Sequence, residues 1–112
     1  MKLGLVILLA RLKELGRAPK FSEIRQMALK AENSGFDSIW LYDHLLYRPD
    51  QKTGLGESTI GIWECWTILS ALAETTRRVE LGTLVLCSSF RNPAVLVKKA
   101  HTIDEVSGAR VL

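Results

Sequence analysis

Two stretches of the chain combine residue types that can move a proton or hold a ligand. In the first, Trp40-Leu41-Tyr42 runs straight into Asp43-His44, so an apolar, aromatic segment ends on a carboxylate beside an imidazole. In the second, Trp63-Glu64-Cys65-Trp66-Thr67 follows a Gly-rich gap. An imidazole titrates near neutrality, which suits His44 to give or take one proton at physiological pH. The residues alone are equally consistent with His44 closing a strand through a hydrogen bond, and with Asp43 serving as a turn residue. Trp63, Glu64 and Trp66 fit the start of a helix, where tryptophan packs into the core and glutamate is favoured by the macrodipole, so they read as structural. Arg91 could touch an anionic group near the rim, although an exposed arginine ahead of a helix cap needs no such reason, and His101 reads as a mid-helix surface or core residue.

Groups of this kind act only if a scaffold brings strand ends to a common rim. Leu3-Gly4-Leu5-Val6-Ile7-Leu8-Leu9 is a continuous apolar run, the pattern of a parallel strand covered on both faces. After Gly16 and Pro19, Ser22 is placed to cap a helix with Glu23 in its first turn. Ile24, Met27, Ala28 and Ala31 form its apolar stripe and Gly35 its stop. Ser38 to Tyr42 makes a second strand, stopped by Asp43-His44. Leu45 to Gly61, with Pro49, Asp50, Gly54 and Gly56, reads as a long rim loop. A second amphipathic helix is expected over Ile62 to Thr76, and a third strand over Val79 to Leu86. Asn92-Pro93, an N-cap with proline at the first helical position, opens a helix that stops at Ser107-Gly108. Arg110-Val111-Leu112 begins another strand.

The order is β-α-β-α-β-α-β, with strands starting near residues 3, 38, 79 and 109. Spacings of about 30 to 40 residues are those of right-handed βαβ units on a parallel sheet, which makes this an α/β chain. No G-x-G-x-x-G follows the first strand and no P-loop glycine cluster precedes a helix, so the phosphate-binding signals of doubly wound folds are missing. A TIM (β/α)8 barrel is the better candidate, and such a barrel needs about 200 to 400 residues. The 112 residues are therefore expected to be the N-terminal portion of one barrel domain, residues 1–112, incomplete at the C-terminus and inactive by itself.

Composition narrows the setting. With 47% hydrophobic and 24% charged residues the chain is ordinary for a globular protein. A net charge of +3 without a basic run leaves no footprint for nucleic acid. The apolar N-terminal run is too short to span a bilayer and lacks a small-residue cleavage site. The expected setting is the cytoplasm, and the expected partner a small-molecule substrate, with no nucleic acid and no membrane. Cys65 and Cys87 have neither metal-ligand spacing nor C-x-x-C and read as free thiols.

Taken in order, seven stretches resemble the luciferase-like flavin-dependent oxidoreductases, and among them the branch that uses the deazaflavin F420. They are Ala31-Glu32 with Gly35 through Trp40, then Tyr42-Asp43-His44, then Trp63 through Thr67 with Leu72-Ala73, then Thr76 through Arg78, then Leu81 through Val85, then Phe90 through Ala94, and Asp104 through Arg110. They cover almost the whole chain from Ala31 onward. The resemblance implies a TIM barrel and an enzyme that transfers a hydride between F420, or alternatively FMN, and a small organic substrate. Monooxygenases occur in the family, and the full-length parent is expected to be a homodimer. The resemblance places Asp43 against polar groups of the deazaflavin ring and His44 on the substrate side as proton donor or acceptor. It puts Leu84-Val85 at a bulge with a non-proline cis peptide supporting one face of the ring, and Cys87 where relatives often carry a small polar residue touching the cofactor. Ala109 departs from a glycine common in the family's Ser-Gly-Gly-Arg stretch.

Two other classes compete. A metal-dependent hydrolase barrel would use Asp43, His44 and His101, but such sites draw ligands from several strand ends and the first and third strands offer none, so no metal site is expected. An inactive truncated product would expose an open sheet edge and associate through it.

Overall fold

The computed structural model describes residues 1–11, 15–48 and 60–112. In chain order its elements are β1 (Gly4–Ile7), α1 (Phe21–Asn33), β2 (Ser38–Leu41), β3 (Leu46–Tyr47), β4 (Ile60–Gly61), α2 (Cys65–Thr75), β5 (Glu80–Thr83) and α3 (Pro93–Ser107), with a 3-10 turn at Ser88–Phe90. Strands β1, β2 and β5 form one parallel sheet in that order, as the βαβ spacing predicts. The fourth expected strand begins as a parallel bridge from Val111 to Leu81, with Leu81 N–H donating to Arg110 O at 2.7 Å.

Register sorts the side chains. Leu5, Ile39 and Leu81 are aligned across the sheet, as are Ile7 and Leu41, and these residues join Ile24, Ala28 and Ala31 of α1 with Leu69, Leu72 and Ala73 of α2 in one core. The opposite face carries Val6, Trp40 and Gly82 in a second aligned row. There the Trp40 indole lies across two glycines: a Cβ on Gly82 would stand 2.5 Å from its Cζ3, and one on Gly4 2.7 Å from its Nε1. Glycine is what lets the ring approach the backbone so closely. Val6 on this face is 38% exposed.

Helix ends differ from expectation where side chains intervene. The N-cap of α1 is Lys20, not Ser22, because Glu23 at the third position turns back to accept the Lys20 N–H at 2.6 Å while Arg17 grips the same carboxylate. Helix α2 starts at Cys65, later than Ile62, because the Glu64 carboxylate takes the N–H groups of Trp66 and Thr67 and so caps the helix. For α3 the reading holds: Asn92 Oδ1 accepts the Ala94 N–H at 2.9 Å, Pro93 follows, and Gly108 ends the helix with φ +68°. The ends of the expected rim loop pair as an antiparallel ladder, Leu46 with Gly61 and Tyr47 with Ile60; Pro49, Asp50, Gly54 and Gly56 lie outside the described residues.

At the N-terminal edge of the sheet the connections are bolted by charge. Glu32 Oε1 accepts the consecutive N–H groups of Arg77, Arg78 and Val79 at 2.9, 2.6 and 3.1 Å. Burial alone would raise the Glu32 pKa, but these amides and the Arg110 charge hold it below the ordinary value. Arg78 donates to Glu32 O and Phe36 O at the end of α1. Arg110 donates to Ala73 O and Thr76 O at the end of α2, and to Val79 O and Ser107 O. Among the described residues no helix is long and apolar enough to cross a membrane.

Candidate active site

Because β1, β2 and β5 are parallel, their C-terminal ends share one edge, and the chemistry-bearing residues collect there. Strand β2 ends at Leu41 and delivers Asp43 buried and His44 exposed. Leu84, just past β5, donates its N–H to Leu41 O at 2.8 Å, which ties the two strand ends together. The Leu84-Val85 peptide is cis, at the position where the family resemblance puts one. Leu84 is exposed and Val85 is 72% exposed, so two apolar side chains stand in the open beside the Asp43-His44 corner. The His44 ring lies against Tyr42 and Tyr47, with centroids 5.7 and 6.2 Å apart.

Arg91 organises what lies beneath. Its Nη1 donates to Asp43 Oδ2 and its Nη2 to Asp43 Oδ1 at 2.8 Å, a two-pronged guanidinium–carboxylate pair. Nη2 also donates to Glu64 Oε1 at 2.7 Å, and Nη1 to Cys87 O at 3.3 Å. Asp43 Oδ2 in turn accepts the Cys87 N–H at 2.9 Å. The side chains of Arg91 and Asp43 are 11% and 4% exposed. Arg91 is thus not the exposed arginine that its place before a helix cap suggests; its partners come from the end of β2 and the cap of α2, far off in sequence.

The charges settle accordingly. The hydrogen bond to Asp43, and then that to Glu64, raise the Arg91 pKa further and keep the guanidinium charged. For Glu64 burial works upward, but the bonds from Thr67, Arg91 and Trp66 outweigh it and hold the carboxyl at about 2. Burial, with help from the Asp43 and Glu64 charges, pushes the Cys65 thiol up to about 12, so it stays protonated and unreactive. Both thiols are free, Cys65 buried and Cys87 half-buried.

All five expected site residues, Asp43, His44, Leu84, Val85 and Cys87, therefore sit on one rim, and Asp43 and Cys87 touch. Trp66 is core as expected, whereas Trp63 lies off the helix, 48% exposed, with its Nε1–H donating to Pro19 O at 2.7 Å. His101 belongs to α3 and lines an outer groove of about 540 Å³ with Leu86, Leu96 and Asp104. Among the described residues no group of three or more His, Cys, Asp or Glu is placed to hold a metal ion, and Asp43, His44 and His101 do not form one. Sequence reasoning missed the Asp43–Arg91–Glu64 cluster, for which no local pattern exists.

The luciferase-like monooxygenase family matches residues 1–112. An F420-dependent glucose-6-phosphate dehydrogenase of Amycolatopsis mediterranei is 36% identical over 91 residues, which is 80% of this chain and 25% of that protein. Among solved structures, the coenzyme F420-dependent tetrahydromethanopterin reductase from Methanopyrus kandleri superposes with a TM-score of 0.71 at 21% identity, covering 99% of this chain and 25% of that one. The oxygenating constituent of 3,6-diketocamphane monooxygenase from Pseudomonas putida, a type II Baeyer-Villiger monooxygenase in complex with FMN, gives a TM-score of 0.67 at 16% identity over 100% of this chain and 28% of that one. These neighbours are TIM barrels, so the parallel βα series is the fold of one part of such a barrel. The chain spans about a quarter of the length of the relatives it matches.

Proposed function

The chain belongs to the luciferase-like monooxygenase family, and on that premise we propose that its rim binds F420, with FMN as the alternative, and serves hydride transfer to or from a small organic substrate. The observation that carries this reading is the convergence, from the ends of β2 and β5, of a buried acid, an exposed imidazole and an exposed apolar pair on one edge of the sheet. A deazaflavin ring has wide apolar faces and one polar edge, and the residues present fit it: Leu84 and Val85 offer an apolar surface, while Asp43 and Cys87 lie beside them. The cofactor, when bound, supplies the hydride chemistry itself. The chain's own residues have three duties. Leu84 and Val85 cover one face of the ring and exclude water from it. Cys87 forms the polar wall next to that face, with the buried Asp43 bonded behind it. His44, on the substrate side, gives or takes at a ring nitrogen the single proton that accompanies gain or loss of a hydride by the substrate.

The F420 reading is favoured over FMN by the relative from Amycolatopsis mediterranei, whose name states F420 dependence at 36% identity. Equilibrium titration of the protein with F420 and with FMN, followed by ligand fluorescence, tests it: saturable binding of F420 with much weaker binding of FMN is expected. Tight FMN binding without F420 binding would replace the cofactor, and binding of neither would remove the reading.

A further inference from the structure

Resting on that reading of the rim, we propose that Asp43 and Arg91 act as one positioning unit: Arg91 locks the Asp43 carboxylate, and the locked carboxylate holds the Cys87 turn, so that Asp43 shapes the cofactor wall without touching the ring. The lone pairs support this. Oδ2 already accepts Cys87 N–H and Arg91 Nη1, and Oδ1 accepts Arg91 Nη2. At 4% exposure the carboxylate has almost no surface to offer a ligand.

The same guanidinium reaches further. Through Glu64 Oε1 it engages the cap of α2, and through Cys87 O it closes a ring of bonds around the turn after β5. Segments at Asp43, Glu64 and Cys87, which lie 48, 27 and 4 residues from Arg91 in sequence, are thereby fixed to one planar group. Lysine cannot reproduce this, because an ammonium lacks the fork that meets both carboxylate oxygens and two further acceptors at once. Glu64 is the outer and half-exposed partner, with its carboxylate also held by Trp66 and Thr67 amides, so the lock does not depend on it.

A double-substitution cycle on Asp43→Asn and Arg91→Lys, both of which keep side-chain size and avoid stranding a bare charge, separates this from direct ligation. F420 affinity is measured for the wild type, both singles and the double, with hydrogen exchange at the Cys87 amide recorded on the cofactor-free proteins. Each single should weaken F420 binding about ten-fold, as loss of an outer support does, and the double should be no weaker than the worse single, since the link is broken only once. Protection of the Cys87 amide should fall alike in all three. Glu64→Gln should stay within about two-fold of wild-type affinity, as a rim substitution that spares the fork. Losses that multiply in the double would show that Asp43 meets the ring independently, and unchanged Cys87 protection in folded Asp43→Asn protein would show that the carboxylate does not hold the turn; either overturns the proposal. If wild-type protein binds no F420, the cofactor reading fails while the exchange measurement still decides the lock.

Discussion

The two edges of the parallel sheet use the same chemistry for different ends. At the N-terminal edge, Glu32 is filled by three consecutive amides, and Arg78 and Arg110 close the ends of α1 and α2 by donating to backbone carbonyls. These bonds join side chain to backbone and complete helix ends that otherwise lack partners. At the C-terminal edge, Arg91 is held between two carboxylates, and beside that buried pair stand His44, Leu84 and Val85 in the open. One edge satisfies its polar groups and stops. The other adds to its anchor an exposed imidazole and an exposed apolar surface, which is where a parallel barrel carries catalysis while the opposite face carries stability.

Substitutions should split along that line, and the largest effect belongs to the base. Arg110→Ala, which leaves several carbonyls at the end of α2 without their donor, should lower unfolding free energy by about 4 kcal/mol. Urea titration reads this, and F420 affinity of the folded fraction should stay at the wild-type value. His44→Ala is the converse: in the full-length parent turnover should fall about 100-fold, close to 2.7 kcal/mol of activation barrier, with unfolding free energy within about 0.5 kcal/mol of wild type. Steady-state kinetics beside the same urea titration would blur the two edges if stability fell instead. Glu32→Gln, which removes the charge from three amide bonds, should cost about 2 kcal/mol of stability and leave F420 affinity unchanged.

Acid gives the smallest and most general contrast. Glu64 titrates at about 2 in the folded protein against an ordinary 4.5, and Glu32 is likewise lowered. A carboxyl with a depressed folded pKa contributes stability that is fully present above its unfolded value and is lost as pH falls toward the folded one. Unfolding midpoints should therefore decline between about pH 4.5 and 2, and Glu64→Gln should flatten part of that decline because the rim loses its titrating carboxyl. The partly exposed setting of Glu64 keeps its share modest.

Much of this was legible in the residues. The Asn92-Pro93 start and Gly108 stop of α3, the apolar stripe of α1 and the βα spacing all depend on local chemistry, and local chemistry is what a sequence displays. Asp43 and His44 as a strand end were readable for the same reason. The start of α2 was misjudged because Ile62 and Trp63 keep a helical period, while the cap is decided by where the Glu64 carboxylate folds back. The place of Trp40 over Gly4 and Gly82 depends on strand register, which no single strand contains. Arg91 was the least legible of all: its partners lie 48 and 27 residues away, and a buried arginine before a helix cap looks identical in sequence to an exposed one.

The open apolar pair beside Asp43-His44 is proposed as the resting face of a deazaflavin. Val85→Asp places a charge on that surface, at a side chain 72% exposed and outside the core, so the fold should tolerate it. Fluorescence titration of wild-type and Val85→Asp protein with F420 is the most direct test. Saturable binding by the wild type is expected, with a loss of at least about 100-fold in the variant, the scale of burying an unpaired charge against an apolar ring. Equal affinity in the two proteins would contradict it.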